Sequence, residues 1–527
     1  MIKLYLNPIK QYAMPLRHPT ASFRLLFLIL AGFLQASVLG QEAEAPKEAT
    51  KPIPAPKVFV TDHEVLNGDR KVAYRATASE RYLTDDPGSP KASIWSVAYT
   101  VDPKGDPSNR PVTFVFNGGP GSASIWLHLG LLGPKLVEVD SEASKDDGAA
   151  PYTLKSNTAG LLDQTDLVFI DPVGTGYSRV IGEGKVEDYW GLNEDARSIA
   201  RFIRDWITDH NRWMSPKYLA GESFGTTRAV AVAQELEGGG QNMSLNGLIL
   251  ISQALDYGGS TSEHHNITSY ITYLPSMAAT AWYHKKAGQD QSLEDFLQAC
   301  REFTYNTYIP ALYKGSLLSS AEKESVAREL SNFIGLSPDY IIKSDLRVLI
   351  PRFQKELLRE KGVTLGRLDG RYKGQEIDAF SDGPHLGDPS SYQISGAYTA
   401  AINHYLRSDL QVAMDRPYMT SNPEIGGKWN WRPVPKGRYW EPERVNVAHK
   451  LGETMRRNPE MGVIVANGYY DLICPFFDAE YTFSRNGIET GKITMAYYEA
   501  GHMMYTHQED YQKLLKDIRL FLANVPD

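Results

Sequence analysis

The sequence predicts an α/β fold with a mostly parallel central sheet flanked by helices. Five continuous apolar runs are typical of strands that are buried on both faces. They lie at 112–116, 167–170, 248–252, 462–466 and 492–498. Helical patterns lie between or after these runs, at 193–209, 226–235 and 507–523. Strands that alternate with helices in this way favour a largely parallel sheet.

Two parts of the chain depart from this alternation. From about 58 to 100, apolar and polar residues alternate, which indicates antiparallel strands. From about 258 to 458 the strand signal stops, and helical segments such as 293–308 are joined by loops rich in Gly, Pro and aromatic residues. We therefore predict one domain, 58–527, in which a helical and loop insertion forms a cap over one end of the sheet.

The first forty residues differ in kind from the rest. They contain four basic residues and no acid, and an apolar run at 25–34 follows. This pattern predicts a signal peptide, 1–40, cleaved after Gly40, which would take the formal charge from −8 to −12. An uncleaved membrane anchor is the alternative, but the run is short for a spanning helix and no later stretch could span a bilayer. Residues 41–57, mostly Ala, Pro, Glu and Lys, are predicted to be a flexible linker.

Charge and cysteine content disfavour several classes of function. A net charge of −8 without a basic cluster argues against nucleic-acid binding. Two cysteines, Cys300 and Cys474, are too few for a disulfide framework, which fits a bacterial periplasm or exterior better than a eukaryotic secretory route. No metal site is predicted, because the pair His264 and His265 has no carboxylate or cysteine at ligand spacing.

A serine between two glycines is the first candidate for chemistry. Ser223, with Gly221 and Gly225 on either side, lies between a short apolar run at 217–220 and a helical run rich in Ala and Val. This is the layout of a nucleophile elbow, in which the glycines let the backbone turn sharply from strand to helix. We predict Ser223 as a nucleophile. An ordinary glycine-flanked turn is the alternative.

Two partners for Ser223 follow later in the chain. A serine hydroxyl needs a histidine base, which a carboxylate orients. Asp471 follows the strand predicted at 462–466 by a short loop, and His502 follows the last predicted strand. The order Ser, Asp, His is that of α/β hydrolases, so we predict that fold with these three residues as its triad. Asp471 as a simple helix N-cap is the alternative.

An oxyanion hole needs two backbone N–H groups near the nucleophile. Phe224, directly after Ser223, is predicted to provide one of them. The glycine-rich turn at 117–122, after the strand predicted at 112–116, is predicted to provide the other through Gly119.

Five motifs, taken in order, resemble those of the serine carboxypeptidase family, peptidase family S10. They are Asn-Gly-Gly-Pro-Gly at 117–121, Asp-Pro-Val-Gly-Thr-Gly-Tyr-Ser at 171–178, Gly-Glu-Ser at 221–223, Asp-Leu-Ile-Cys at 471–474 and Gly-His-Met at 501–503. The resemblance covers roughly residues 60–525 and is weak through the insertion. With the low cysteine content, it indicates a bacterial-type member.

The resemblance implies further roles around the nucleophile. In that family a glutamate before the nucleophile, with the Asn and the first Gly of the glycine turn, holds the free carboxylate of the substrate. Here those residues are Glu222, Asn117 and Gly118. Because two carboxylates in a dry pocket bind only if one is protonated, substrate should raise the pKa of Glu222 and favour turnover in acid. Cys474 matches a family cysteine near the site and Met503 a residue of the leaving-group pocket, or else both are plain core.

Two positions depart from the family's pattern. Ser122 stands where family members commonly have a cysteine. Leu131 stands two residues before Gly133-Pro134, where the family usually has a second glutamate that supports the carboxylate-binding one. Because a leucine cannot support the carboxyl group of Glu222, the second departure argues against the expected preference for turnover in acid.

The predicted function is that of a secreted or periplasmic serine-type carboxypeptidase. It would release C-terminal amino acids through an acyl-enzyme, with peptides that have a free C-terminus as substrates and without a cofactor. An esterase or acyltransferase on the same scaffold is the nearest alternative, and a catalytically dead binding protein is a further one.

Overall fold

The structure, a computed structural model, describes residues 53–84, 88–101, 106–144, 148–432 and 444–523. The predicted signal peptide, 1–40, and residues 41–52 of the predicted linker lie outside the described residues. The described strands are β1 Val58–Asn67, β2 Arg70–Thr84, β3 Pro90–Thr100, β4 Val112–Phe116, β5 Lys135–Val137, β6 Leu154–Ser156, β7 Asp166–Asp171, β8 Arg179–Val180, β9 Lys217–Ser223, β10 Gly247–Gln253, β11 Val363–Leu365, β12 Lys373–Gln375, β13 Gly462–Gly468 and β14 Ile493–Tyr498.

The described helices lie mostly after β8. They are α1 Ile125–Leu127, α2 Leu192–Asp209, α3 Phe224–Gly238, α4 Tyr257–Ser260, α5 Ile267–Tyr283, α6 Leu293–Phe303, α7 Ile309–Lys314, α8 Ser320–Ile334, α9 Pro338–Lys343, α10 Ile350–Glu356, α11 Pro389–His404, α12 Pro423–Lys428, α13 Ala448–Arg457, α14 Phe476–Phe483 and α15 Gln508–Ala523. Three π-helical turns, His128–Leu132, Thr304–Tyr308 and Tyr405–Asp409, extend α1, α6 and α11. Within the described ranges, no helix combines the length and apolar character that a membrane crossing requires.

One ten-stranded sheet organises the fold. Nine strands lie in the order β1-β2-β3-β7-β4-β9-β10-β13-β14, and β8 pairs with the edge of β3. Neighbours from β7 to β14 run parallel, whereas β1, β2 and β3 pair antiparallel with one another and with β7. The predicted α/β-hydrolase fold, with its mostly parallel central sheet, is confirmed.

Both faces of the inner parallel strands are buried, which explains their continuous apolar runs. The run at 492–498 is also predicted to be buried on both faces, but β14 is the edge strand of the sheet and is only partly buried. In β4, Phe114 and Phe116 point into one core layer, which α2, α3 and α13 cover. Val115, between them, points into the opposite layer, which α15 covers. Because side chains alternate across a strand, most positions of a strand covered on both faces are apolar, and the buried Thr113 of β4 is hydrogen-bonded to Thr165.

Several helices between β10 and β13 form a separate layer, whereas α11 and α12 pack against the clusters on the two faces of the sheet. Apolar residues of α5, α6, α8 and α10 pack into a third hydrophobic cluster, which also takes in Leu472 and Phe476 beyond β13. α8 is stabilised at its start by a capping box between Ser319 and Glu322. α13, the last helix before β13, packs instead beside α3. The boundaries of the cap at about 258–458 stay a prediction.

A sharp turn joins β9 to α3. Ser223 ends the strand with φ 60° and ψ −130°, a strained conformation for a residue with a side chain, and Phe224 begins the helix. The turn brings backbone so close that a Cβ at position 221 would lie 2.2 Å from the carbonyl oxygen of Gly225. Glycine at 221 is therefore a steric requirement of the elbow.

We predict that Gly221→Ala destabilises the protein by at least about 3 kcal/mol, because the added methyl meets backbone that cannot move aside. The midpoint of urea unfolding, followed by tryptophan fluorescence, measures the loss. The control is Gly426→Ala in α12, where a Cβ would meet no atom within 4 Å. It should leave stability within about 1 kcal/mol of wild type. Equal midpoints for the two variants would contradict the steric requirement.

Candidate active site

A cavity of about 730 Å³ opens at the carboxyl ends of the parallel strands. Eight of the residues predicted for the site line it, namely Asn117, Gly118, Gly119, Glu222, Ser223, Cys474, His502 and Met503. Asp471 lies buried behind His502. The structure therefore brings together side chains that are up to 386 positions apart, from Asn117 to Met503.

His502 and Asp471 form a buried pair. The Nδ1 atom of His502 lies 2.7 Å from Oδ2 of Asp471, and the other oxygen, Oδ1, accepts hydrogen bonds from the N–H groups of Ile473 at 2.8 Å and Cys474 at 2.9 Å. Burial opposes a charged imidazole, but the Asp471 carboxylate and Cys474 outweigh it and raise the pKa of His502. No helix begins at Asp471, since α14 starts at Phe476 with Pro475 as its N-cap, so this carboxylate bonds to a histidine and does not cap a helix.

Asp471, Cys474 and His502 form a cluster in which each residue could offer one ligand atom to a metal ion. Their ligand atoms lie within 4.8 Å of one another. Both oxygens of Asp471 already accept hydrogen bonds, and burial raises the pKa of the Cys474 thiol to about 11. In this structure the three residues form a hydrogen-bonded network.

The glycine turn after β4 rests directly on the elbow. A Cβ at position 118 would lie 2.6 Å from the backbone nitrogen of Phe224 and 2.8 Å from the carbonyl oxygen of Glu222. Phe224 is the first residue of α3, where a backbone N–H has no partner within the helix. Gly119 lines the cavity next to this point. The glycine turn and the start of α3 thus meet beside Ser223.

A buried arginine, which the sequence analysis did not identify, supports the glycine turn. Arg228 donates from Nη1 to the carbonyl oxygen of Asn117 at 2.5 Å and from Nε to Oδ2 of Asp195 at 2.6 Å. Its guanidinium also lies over the rings of Phe116 and Phe224. The available signal was a lone charge in an otherwise uncharged helical run at 224–234.

The motif at 171–178 makes a second set of contacts next to the glycine turn at 117–122. Asp171 accepts hydrogen bonds from the Ser124 N–H at 2.9 Å and from the Tyr418 hydroxyl at 2.7 Å. Burial raises the pKa of Asp171 to about 6. The motif therefore contributes to the position of the turn, and none of its residues lines the cavity.

Glu222 is a buried acid beside the nucleophile. Its Oε1 accepts from Nδ2 of Asn117 at 3.2 Å, and its Oε2 accepts from the hydroxyl of Tyr505 at 2.6 Å. Burial raises the pKa of Glu222 to about 7, although His502 and both hydrogen bonds favour the ionised form. Glu222 can therefore gain or lose a proton near neutral pH, at a point where a ligand in the cavity can reach it.

Tyr505 was not predicted as a site residue. It is buried, three positions after His502, and no periodic pattern in the sequence marks it. Leu131, where the resemblance implies a second glutamate, is buried within the hydrophobic core. The group that supports Glu222 in this chain is thus a hydroxyl from another part of the sequence.

Comparisons with known proteins agree with this arrangement. The family model for serine carboxypeptidases matches residues 96–519. Serine carboxypeptidase-like 16 of Arabidopsis thaliana is 27% identical over 166 residues, which is 30% of this chain and 37% of that protein. Serine carboxypeptidase-like 2 of the same plant is 30% identical over 168 residues, 30% of this chain and 36% of that protein. The chain thus aligns with little more than a third of the length of these relatives.

A solved structure extends the similarity of fold over most of the chain. KEX1(delta)p, a prohormone-processing carboxypeptidase from Saccharomyces cerevisiae, matches with a TM-score of 0.53 at 14% identity. The match covers 88% of this chain and 91% of that one. At this identity the likeness shows the fold alone.

We predict that Glu222→Gln changes the pH dependence of stability. A carboxyl whose pKa is raised by folding costs stability as pH rises from its ordinary value near 4.5 through about 7. Gln has no such cost, so the variant should gain about 3 kcal/mol relative to wild type between about pH 4 and about pH 8. Urea unfolding at several pH values measures the difference. Glu183→Gln, at an exposed acid, should give a constant difference, and a constant difference for Glu222→Gln would contradict the shifted pKa.

Proposed function

The chain belongs to the serine carboxypeptidase family, and we propose that it acts as a serine carboxypeptidase on peptides with a free C-terminus. Ser223 is the nucleophile, His502 the general base and Asp471 the residue that orients His502. The N–H groups of Gly119 and Phe224 form the oxyanion hole. Asn117, Gly118 and Glu222 bind the C-terminal carboxylate, while Cys474 and Met503 line the substrate pocket.

The observation that carries this proposal is the position of Glu222. A buried acid directly before the nucleophile costs stability, and a hydrolase that acts on neutral esters has no need of it. The acid faces an amide N–H₂ group, that of Asn117, across 3.2 Å. Once protonated, Glu222 is a second donor at the same place. Two donors beside the nucleophile fit a substrate carboxylate one residue from the scissile bond.

The first half of the reaction forms an acyl-enzyme. Ser223 Oγ attacks the carbonyl carbon of the last peptide bond while His502 removes the hydroxyl proton. Negative charge that develops on the carbonyl oxygen is stabilised by the two backbone N–H groups. His502 then passes the proton to the leaving nitrogen, and the C-terminal amino acid departs.

The second half repeats these steps with water. His502 takes a proton from water, whose oxygen attacks the acyl carbon and regenerates Ser223. The imidazolium that forms in each half is stabilised by the Asp471 carboxylate, which is held by two backbone N–H groups. Neither half of the proposed reaction includes a redox step or a cofactor.

We predict that an N-blocked dipeptide with a free C-terminus is cleaved far faster than its C-terminal amide. The carboxylate adds charge-assisted hydrogen bonds that the amide lacks, which corresponds to a difference of about 10²-fold in kcat/KM. Release of the C-terminal residue, measured by mass spectrometry or a ninhydrin assay at mildly acid pH, gives both rates. Ser223→Ala should abolish both activities.

Two experiments separate this proposal from its alternatives. If Glu222→Gln leaves peptide cleavage and its pH profile unchanged, the carboxylate-binding role is wrong and an esterase or acyltransferase is favoured. Labelling of wild type by a fluorophosphonate probe, with Ser223→Ala as control, tests for a live nucleophile. A wild-type enzyme that resists the probe would indicate a binding protein.

We also propose that the protein is an exported, bacterial-type member of the family. The basic and apolar run at the start of the chain supports export, and the two cysteines, both buried and free, support the bacterial type. The curated relatives described above are plant proteins, so the bacterial type rests on cysteine content alone.

We predict that the exported protein begins at Gln41. A signal peptidase should remove residues 1–40 when the full chain is expressed in a secreting bacterial host. Intact-mass measurement and N-terminal sequencing of the protein from the periplasm or medium identify the first residue. A full-length chain that stays with the membrane fraction would instead indicate an anchor.

A further inference from the structure

The hydroxyl of Tyr505 makes the shorter of the two hydrogen bonds to Glu222. It donates to Oε2 at 2.6 Å, whereas Nδ2 of Asn117 donates to Oε1 at 3.2 Å. Asn117 and Glu222 line the cavity, but Tyr505 does not. A ligand in the cavity can therefore reach Oε1 of Glu222 and the Asn117 amide, while Tyr505 donates its hydrogen bond to Glu222 from outside the cavity lining.

The partners of Asn117 determine which of its atoms faces Glu222. Its Oδ1 accepts hydrogen bonds from the N–H groups of Trp126 and Leu127, both at 3.1 Å. The amide nitrogen must then point toward Glu222. Asn117 is thus held as a donor, and Glu222 completes a pair of donors only when Oε1 carries a proton.

Close packing holds the Tyr505 ring in place. A Cβ at position 130 would lie 2.5 Å from Cε2 of Tyr505 and 2.5 Å from the hydroxyl oxygen of Tyr398. Glycine at 130 therefore makes room for both rings. Burial, together with the charge of Glu222, raises the pKa of Tyr505 well above its ordinary value, so the hydroxyl keeps its proton and remains a donor.

Other charged and titratable groups also face Glu222. His502 favours the ionised form of Glu222, and Asp471 opposes that form. Burial, together with the charge of Glu222, in turn raises the pKa of Tyr398. Among the described residues, only Tyr505 and Asn117 donate side-chain hydrogen bonds to Glu222. Of these two, only Tyr505 can be altered without changing a group that lines the cavity.

We propose that Tyr505 is a positioning residue that stabilises ionised Glu222 and directs its proton to Oε1, so that it limits carboxylate binding to the pH range in which Glu222 is protonated. The proposal rests on the carboxypeptidase function proposed above. A donor hydrogen bond to a carboxylate favours the charged form and resists protonation. With Oε2 occupied, an incoming proton goes to Oε1, where a substrate carboxylate can accept it.

The test is Tyr505→Phe, which removes the hydroxyl and keeps the ring. The pKa of Glu222 should rise, so that the variant keeps its activity at higher pH than wild type. On a blocked dipeptide with a free C-terminus, the ratio of kcat/KM for the variant over wild type should increase about tenfold between about pH 5 and about pH 8. On the corresponding dipeptide amide, the ratio should stay constant with pH.

Tyr398→Phe is the matched control. It makes the same chemical change in the neighbouring ring, which touches the same glycine at 130 and donates no described hydrogen bond to Glu222. Its kcat/KM ratio to wild type should not change with pH on either substrate. A Tyr505→Phe enzyme that loses activity equally on both substrates at every pH would show a packing role only and overturn the proposal.

A second measurement does not depend on peptidase activity. The infrared band of the protonated Glu222 carboxyl, identified by its loss in Glu222→Gln, should titrate with a higher midpoint in Tyr505→Phe than in wild type. An unchanged midpoint would overturn the proposal even if the enzyme is a carboxypeptidase. A raised midpoint in an enzyme that cleaves no peptide would support this role of Tyr505 and refute the carboxypeptidase function.

Discussion

Backbone contact between the glycine turn and the nucleophile elbow is the constraint on which the site depends. Gly118 lies against the nitrogen of Phe224, Gly221 against the carbonyl of Gly225, and Gly225 against the carbonyl of Phe116. Side chains can adopt other rotamers to relieve a contact, but strand and turn backbone cannot. The ends of β4 and β9 are therefore held in direct backbone contact, and the oxyanion hole proposed above depends on this contact.

A buried ion pair supports the contact between the glycine turn and the elbow, although burying its charges costs free energy. Arg228 and Asp195 form an ion pair that is almost fully removed from solvent, and burial raises the pKa of Asp195 against the influence of its partner. Such pairs add little net stability compared with apolar residues, although removing one partner costs about 3–5 kcal/mol. The pair orients Asn117. Arg228 binds the carbonyl oxygen of Asn117 from inside the core, while the Asn117 side chain faces the cavity.

Much of the fold could be predicted because strands buried on both faces leave a continuous apolar signal. All five predicted runs correspond to strands of the sheet. The flanking glycines marked Ser223 in the sequence, and positions just beyond predicted strands marked Asp471 and His502. Tyr505 could not be found in this way. Its partner, Glu222, is 283 positions away, and the contact depends on how the last loop packs rather than on any periodic pattern.

The coupling between Glu222 and His502 gives the proton on Glu222 a second role. His502 favours ionised Glu222, so the base is tuned in the presence of one negative charge beside it. A substrate carboxylate that binds together with one proton leaves that charge at −1, because the neutral acid and the new carboxylate replace a single carboxylate. A carboxylate that bound without the proton would place two negative charges near His502 and raise the pKa of the base. If Glu222 has the carboxylate-binding role proposed above, proton uptake with substrate preserves the base as well as permitting binding, which a fixed cation at position 222 could not do.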